Sequence, residues 1–177
     1  MPKILFNKTI FNFVYIYMNY DRLSAIEYAK NWWNKRNPKF YNFDNLGGDC
    51  TNFICQCLIA GGYKMKESVI DGWFYKSLNY RSPSFSGVNE LFSFGIHNNG
   101  NLGVKFKEIS LKEANIGDIV QLRQNPNKFN HSLIITSINN NEVVNSKSIY
   151  VSTHTIDCYD RCLCDYSYFE YRCLKPV

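Results

Sequence analysis

The order of patterns along the chain predicts an α+β fold. Residues 21–37 and 49–60 carry helical spacing with start and stop signals, whereas the last third holds short β-branched runs joined by turns, as in an antiparallel sheet. A length of 177 residues with 45% hydrophobic content suits one compact domain rather than two with thin cores.

Each element has its own reason. Residues 1–20 form an apolar, aromatic lead-in, and the domain proper is expected over 21–177. From Asp21, the stretch DRLSAIEYAKNWWNKRN sets Leu23, Ile26, Ala29 and Trp33 near helical spacing, and Asn37–Pro38 ends it. KFYNFDNLGG, residues 39–48, reads as a loop closed by two glycines. DCTNFICQCLIAGG reads as a second helix, with Asp49 as N-cap and Gly61–Gly62 as the stop. Residues 63–105 are rich in Ser, Asn and Gly and are expected to be irregular loops. GDIVQLR then reads as a strand entered from a turn and HSLIITSI as a second strand. NNNE is a hairpin turn into VVNSKSIYVSTHT, and SYFEYRCLKPV is the closing strand.

The net charge is +5 and the isoelectric point near 8.8, with no run of five or six basic residues. That is a mildly basic surface and not the footprint of a nucleic-acid binder. The apolar stretch from Ile4 to Tyr17 is interrupted by Asn7, Lys8 and Asn12, so it reads neither as a signal peptide nor as a membrane span. The expected location is cytoplasmic, with action at a cell wall requiring release by another route. Seven cysteines, without the spacing of a disulfide framework or of paired metal knuckles, fit a reducing compartment and imply no metal or organic cofactor. Cys55 and Cys57 fall in a helix expected to be buried, and Cys158, Cys162, Cys164 and Cys173 crowd the C-terminal end.

One cysteine stands apart. Cys50 follows Gly47, Gly48 and Asp49 and opens a helix, where unpaired amides and the macrodipole favour a thiolate and offer donors to an oxyanion. Such a nucleophile needs a base. His97, in GIHNNGN, reads as a surface loop residue, while His131 begins an apolar strand, from which it can face the start of a helix. His154, in YVSTHTID, is a candidate to orient the His131 ring, with Asn145 and Asp157 as competitors for that role. Trp73, Phe74, Tyr75, Phe92 and Phe94 are candidates to line a groove, although most such aromatics are core. Gln121 and Arg123 are candidate substrate contacts on their strand.

The blocks GGDCTNFICQCLIAGG, IGDIVQL, NHSLIIT and VSTHTID resemble the bacterial amidase-domain family, grouped with the papain-like NlpC and CHAP superfamilies, and the resemblance runs from about Asp21 to the C-terminus. It implies a papain-like (NlpC/CHAP-type) fold, with the nucleophile helix packed on an antiparallel sheet, and hydrolysis of an amide bond in peptidoglycan or a peptide. By the same resemblance Cys50 is the nucleophile and His131 the base, Asp49 is the acidic residue before the cysteine, and His154 and Asp157 belong to the HTxD segment. The same residues leave two other readings open: an acyltransferase or deamidase acting on a protein, and an inactive module that binds cell-wall peptide.

Overall fold

A computed structural model describes residues 20–139 and 143–177. The predicted lead-in and the centre of the predicted NNNE turn fall outside them, apart from Tyr20, Asn139 and neighbouring flanks.

Helix α1 spans Arg22–Trp32, opened by Asp21, whose carboxylate accepts the Ser24 amide. It ends five residues before the Asn37–Pro38 stop signal, because Trp33 to Lys35 turn away in a tight bend. Helix α2, Cys50–Ala60, is buried from Cys50 to Leu58. Gly61 closes it and Gly62 follows in the left-handed region, as the double glycine predicts. The middle of the chain is more regular than its composition suggests. It holds a small hairpin of β1 (Tyr75–Ser77) and β2 (Tyr80–Arg81), then a ten-residue helix α3, Val88–His97, which the sequence reading assigns to loops.

The remaining strands are β3 (Phe106–Ile109), β4 (Ile119–Arg123), β5 (His131–Ile138), β6 (Ile149–Thr153), β7 (Cys158–Cys162) and β8 (Glu170–Pro176). They form one antiparallel sheet in the order β3-β8-β4-β5-β6-β7. The expectation of an α+β fold with an antiparallel sheet is met. β5 begins and ends where the HSLIITSI pattern places it, whereas β3 and β7 were not legible as strands.

Alternation divides the sheet into two apolar faces. Ile119, Ile134 and Leu174 pack with Ala25 and Ala29 of α1, Phe53, Ile54 and Leu58 of α2, and Leu91 of α3. Val120, Leu122, Leu133, Ile135, Val151 and Cys173 form the other face, covered by Leu111, Leu163, Tyr166 and Tyr168. Trp73 and Phe74 are almost fully buried and Tyr75 nearly so, which makes them core and not groove. Arg22 ties α1 to the turn before β4, its guanidinium reaching the buried Asp118 carboxylate at 2.6 Å.

Candidate functional site

Cys50 is the first residue of α2 and only 5% exposed. Its Sγ lies 3.9 Å from Thr51 Oγ1, whose hydroxyl sits 3.1 Å from Ser132 Oγ on β5. Helix dipole and burial compete at this thiol. Burial is the larger effect: it pushes the Cys50 pKa up, against the Ser132 backbone amide and the Thr51 hydroxyl and amide, which favour the thiolate. The sequence-based expectation of a lowered thiol pKa is therefore reversed in the free protein, because a helix terminus worth about 1 kcal/mol does not offset near-complete removal from water.

His131 opens β5, also 5% exposed, and pairs with Leu122 of β4. Its ring faces Tyr166, with centroids 6.0 Å apart. Burial pulls its pKa down to about 4, so the ring is neutral at neutral pH. The sulfur is set against the backbone of Ser132, and the imidazole belongs to the preceding residue of β5. No hydrogen bond joins them, since the thiol lies on the α2 side while the ring turns toward Tyr166.

The other candidates gather elsewhere. His154 does not hold the His131 ring. Its Nδ1 is 2.5 Å from Asp49 Oδ2, its Nε2 is 2.8 Å from the Trp32 carbonyl, and its ring stacks on Phe53 at 4.0 Å. Both nitrogens face oxygen atoms, in a pair whose members are each about 1% exposed. Asp49 occupies the N-cap position without capping. Its carboxylate instead accepts from the Phe43 amide at 2.9 Å and from Asn52 Nδ2 at 2.8 Å, besides His154. Asp157 forms a forked pair with Arg36, which also clasps Asp44 and lies 3.5 Å from Asp49. Asn145 bonds within its own turn, to Val143, Lys147 and Ser148, and takes no part in the site. His97 is exposed, as expected, but ends α3 and is not in a loop.

These residues form a support under the start of α2. Sequence reasoning missed Arg36, whose partners lie 8 and 121 positions away, and Thr155, whose hydroxyl accepts the Asp49 amide at 2.7 Å. Thr155 and Ile156 hold left-handed backbone at φ 61° and 75°, strain characteristic of over-determined functional regions. Gly48, at φ 104°, must be a glycine twice over, because a Cβ there would also sit 3.1 Å from Thr155 Oγ1.

Gln121 is buried and bonds Val88 O, Ser132 Oγ and Arg172, whereas Arg123 pairs with Glu170 on the surface. Cys162 and Cys164 are joined in a disulfide, which the cysteine spacing did not suggest. With Asp165 they make the one group of the described residues that brings three metal-ligating atoms within 4.8 Å, and its two sulfurs are already bonded to each other. Among the described residues no helix is long and apolar enough to cross a membrane. A cavity of about 700 Å³ lies between α3 and the loop around Lys66–Gly72; Phe94, a candidate groove aromatic, and His97 line it, whereas Cys50, His131, His154, Asp157 and Asp49 do not.

Residues 19–172 match the family described as "Putative amidase domain". The chain belongs to that family. It is also similar to the uncharacterized protein YhbB of Bacillus subtilis (strain 168), with 34% identity over 122 residues. That alignment covers 67% of this chain and 37% of the longer relative. No solved structure matches. The family description points to hydrolysis of amides and leaves the chemistry and the substrate to be argued from the site.

Proposed function

We propose that this protein is a cysteine amidase on a papain-like fold, with Cys50 as nucleophile and His131 as general base, acting on an amide bond in a peptide or in peptidoglycan. The observation that carries the reading is the placement of a helix-opening thiol against the backbone of Ser132, one residue from a buried, neutral histidine. A neutral imidazole can accept a proton, and the first-turn amides of α2 have no intrahelical acceptor and are available to an oxyanion.

The reaction begins from a neutral pair. His131 turns from Tyr166 toward the sulfur as substrate enters, since catalytic hydrogen bonds in free enzymes are commonly long and close only in the complex. It takes the thiol proton as sulfur attacks the carbonyl carbon, the amine leaves with that proton, and water hydrolyses the thioester. Asp49, His154, Arg36 and Asp157 act through α2, fixing the start of the helix that carries the thiol.

The test is turnover of muropeptides and peptide amides followed by mass spectrometry, with Cys50→Ala, Cys50→Ser and His131→Ala. Loss of at least a thousandfold in each, with an acyl adduct trapped on the Cys50 peptide of the wild type, is expected. Cys50→Ala at wild-type rate would sink the reading. If an amine accepts the acyl group in place of water, the enzyme is an acyltransferase. A binding module without turnover is favoured by two observations, the raised thiol pKa and the unmade Cys50–His131 bond. Binding of wall peptide that is unchanged in Cys50→Ser, with no product, would establish it.

A further inference from the structure

A buried charge normally has an opposite one beside it to offset its lost hydration. Arg172, on β8, is 9% exposed and has none. Its hydrogen bonds go to neutral oxygens: Nε donates to Gln121 Oε1 at 2.7 Å and Nη2 to Asn89 Oδ1 at 3.4 Å. Glu108 and Glu170 favour its charge only from a distance, and Glu170 is already paired with Arg123. Among the described residues Nη1 has no partner. The one fully enclosed side-chain polar atom without a partner there is Asn52 Oδ1, so Nη1 is open to water.

The walls around this cation select the shape of its partner. Phe92 and Phe129 hold the guanidinium between them, with their ring centroids 3.6 and 4.1 Å from its carbon, and both rings are only partly buried. They leave a slot one flat group thick. A carboxylate is flat and meets a guanidinium edge with two parallel hydrogen bonds, whereas a tetrahedral phosphate is thicker than the slot. Asn89 belongs to the first turn of α3, an end that no side chain caps, so the helix adds positive potential beside the guanidinium.

The slot is also placed toward the nucleophile. Arg172, Gln121 and Ser132 stand in register across β8, β4 and β5, and their side chains bond one another along the row. Ser132 Oγ then meets Thr51 on α2, which puts the guanidinium on the same sheet face as Cys50. Two strand spacings separate residues 172 and 132, roughly 10 Å between backbones.

We propose that Arg172, walled by Phe92 and Phe129, is a specificity-determining residue that anchors a free carboxylate of the substrate. The inference rests on the amide-hydrolase reading and narrows it. An extended chain covers about 3.5 Å per residue, so the carboxylate lies within about three residues of the amide that Cys50 attacks. Gln121 is then a positioning residue, which fixes the guanidinium from its Nε side and leaves the Nη1 edge to the ligand.

The test follows the Arg172 Nε–Hε resonance by NMR in the full chain bearing Cys50→Ala, assigned by its absence when Arg172→Lys is added. Acetate, titrated against chloride at constant ionic strength, should shift it saturably, and phosphate should bind about threefold more weakly or less. A muropeptide with a free carboxylate should reproduce the acetate shift, and its carboxamide form should lose about tenfold or more in affinity. In the active chain acetate should raise KM for that muropeptide and leave kcat unchanged, and Arg172→Gln should abolish the preference for carboxylate over carboxamide. The measurements on Arg172 itself decide the matter even where Arg172→Gln does not fold. No saturable shift, an equal shift with chloride, or tighter binding of phosphate would overturn the proposal. So would a muropeptide whose carboxylate and carboxamide forms bind alike. Carboxylate-specific binding together with a fully active Cys50→Ala enzyme would overturn the catalytic reading and leave the slot standing.

Discussion

His131 and Cys50 are held in their neutral forms by the same cause, removal from water, and their pKa values move apart rather than together. Proton transfer from thiol to imidazole is therefore uphill in the free protein, and the thiolate fraction at neutral pH is small. Iodoacetamide should alkylate Cys50 more slowly at pH 7 than an exposed thiol, with the rate rising only above the ordinary thiol range. Peptide mass after timed labelling checks this, and a rate that titrates below about 8 would contradict the buried geometry. Stability carries the same signature at the histidine. Between pH 6.5 and about 4 the unfolded chain binds a proton that the folded His131 refuses, so stability falls as pH falls through that window. By pH 4.5 the loss attributable to this ring is about 2–3 kcal/mol, and His131→Gln should remove it. Urea midpoints at pH 7 and pH 4.5 for both proteins measure the difference.

At the scale of elements, the start of α2 depends on groups brought from three other segments: Trp32 at the end of α1, Arg36 just beyond it, and the 154–157 turn after β6. Asp49 and His154 are the buried centre of that junction. Removing either orphans the other in a site that water does not reach, so Asp49→Ala and His154→Ala should each cost about 3–5 kcal/mol in denaturant unfolding. A catalytic His154 would predict the opposite pattern, lost activity at unchanged stability. Legibility follows from the range of the forces involved. The starts of α2 at Cys50 and of β5 at His131 were legible because the apolar pattern of each element is local. α3 was not, since Ser93, Gly95 and the flanking Gly and Ser residues read as loop. Gly95 is there to admit the Phe106 ring, which would lie 2.2 Å from a Cβ, and that requirement comes from a strand eleven residues away. β7 was hidden for a similar reason: CYDRC has no alternation, and Asp160 sits at φ 56°. The Arg36 clasp and the orientation of His154 are products of tertiary contact, and no spacing in the chain announces them.

Across the whole molecule, one polar path runs through the sheet to the sulfur. Arg172 on β8 donates to Gln121 Oε1 on β4 at 2.7 Å, Gln121 Nε2 reaches Ser132 Oγ on β5 at 3.2 Å, and Ser132 meets Thr51 on α2 at 3.1 Å. The Arg172 guanidinium is wedged between Phe92 at 3.6 Å and Phe129 at 4.1 Å, and burial lowers its pKa to about 10. Every member is buried, so each bond is strong and each vacancy costly. Gln121→Leu fills the volume but takes the acceptor from Arg172 Nε, which leaves that guanidinium only the longer contact to Asn89 at 3.4 Å, and it should cost about 2–4 kcal/mol. The path also makes a prediction that separate packing does not. Gln121 and Thr51 share Ser132 as a partner without bonding each other. A double-mutant cycle of Gln121→Leu with Thr51→Val should therefore return a coupling of about 0.5 kcal/mol or more, whereas independent sites would add within error. If the coupling appears in stability and again in the alkylation rate of Cys50, the sheet and the start of α2 are one cooperative unit, and the position of the thiol is set from strand β8 inward. If the two substitutions simply add, the start of α2 is held by the Asp49–His154 junction alone, and Gln121 serves only the packing of α3 on the sheet.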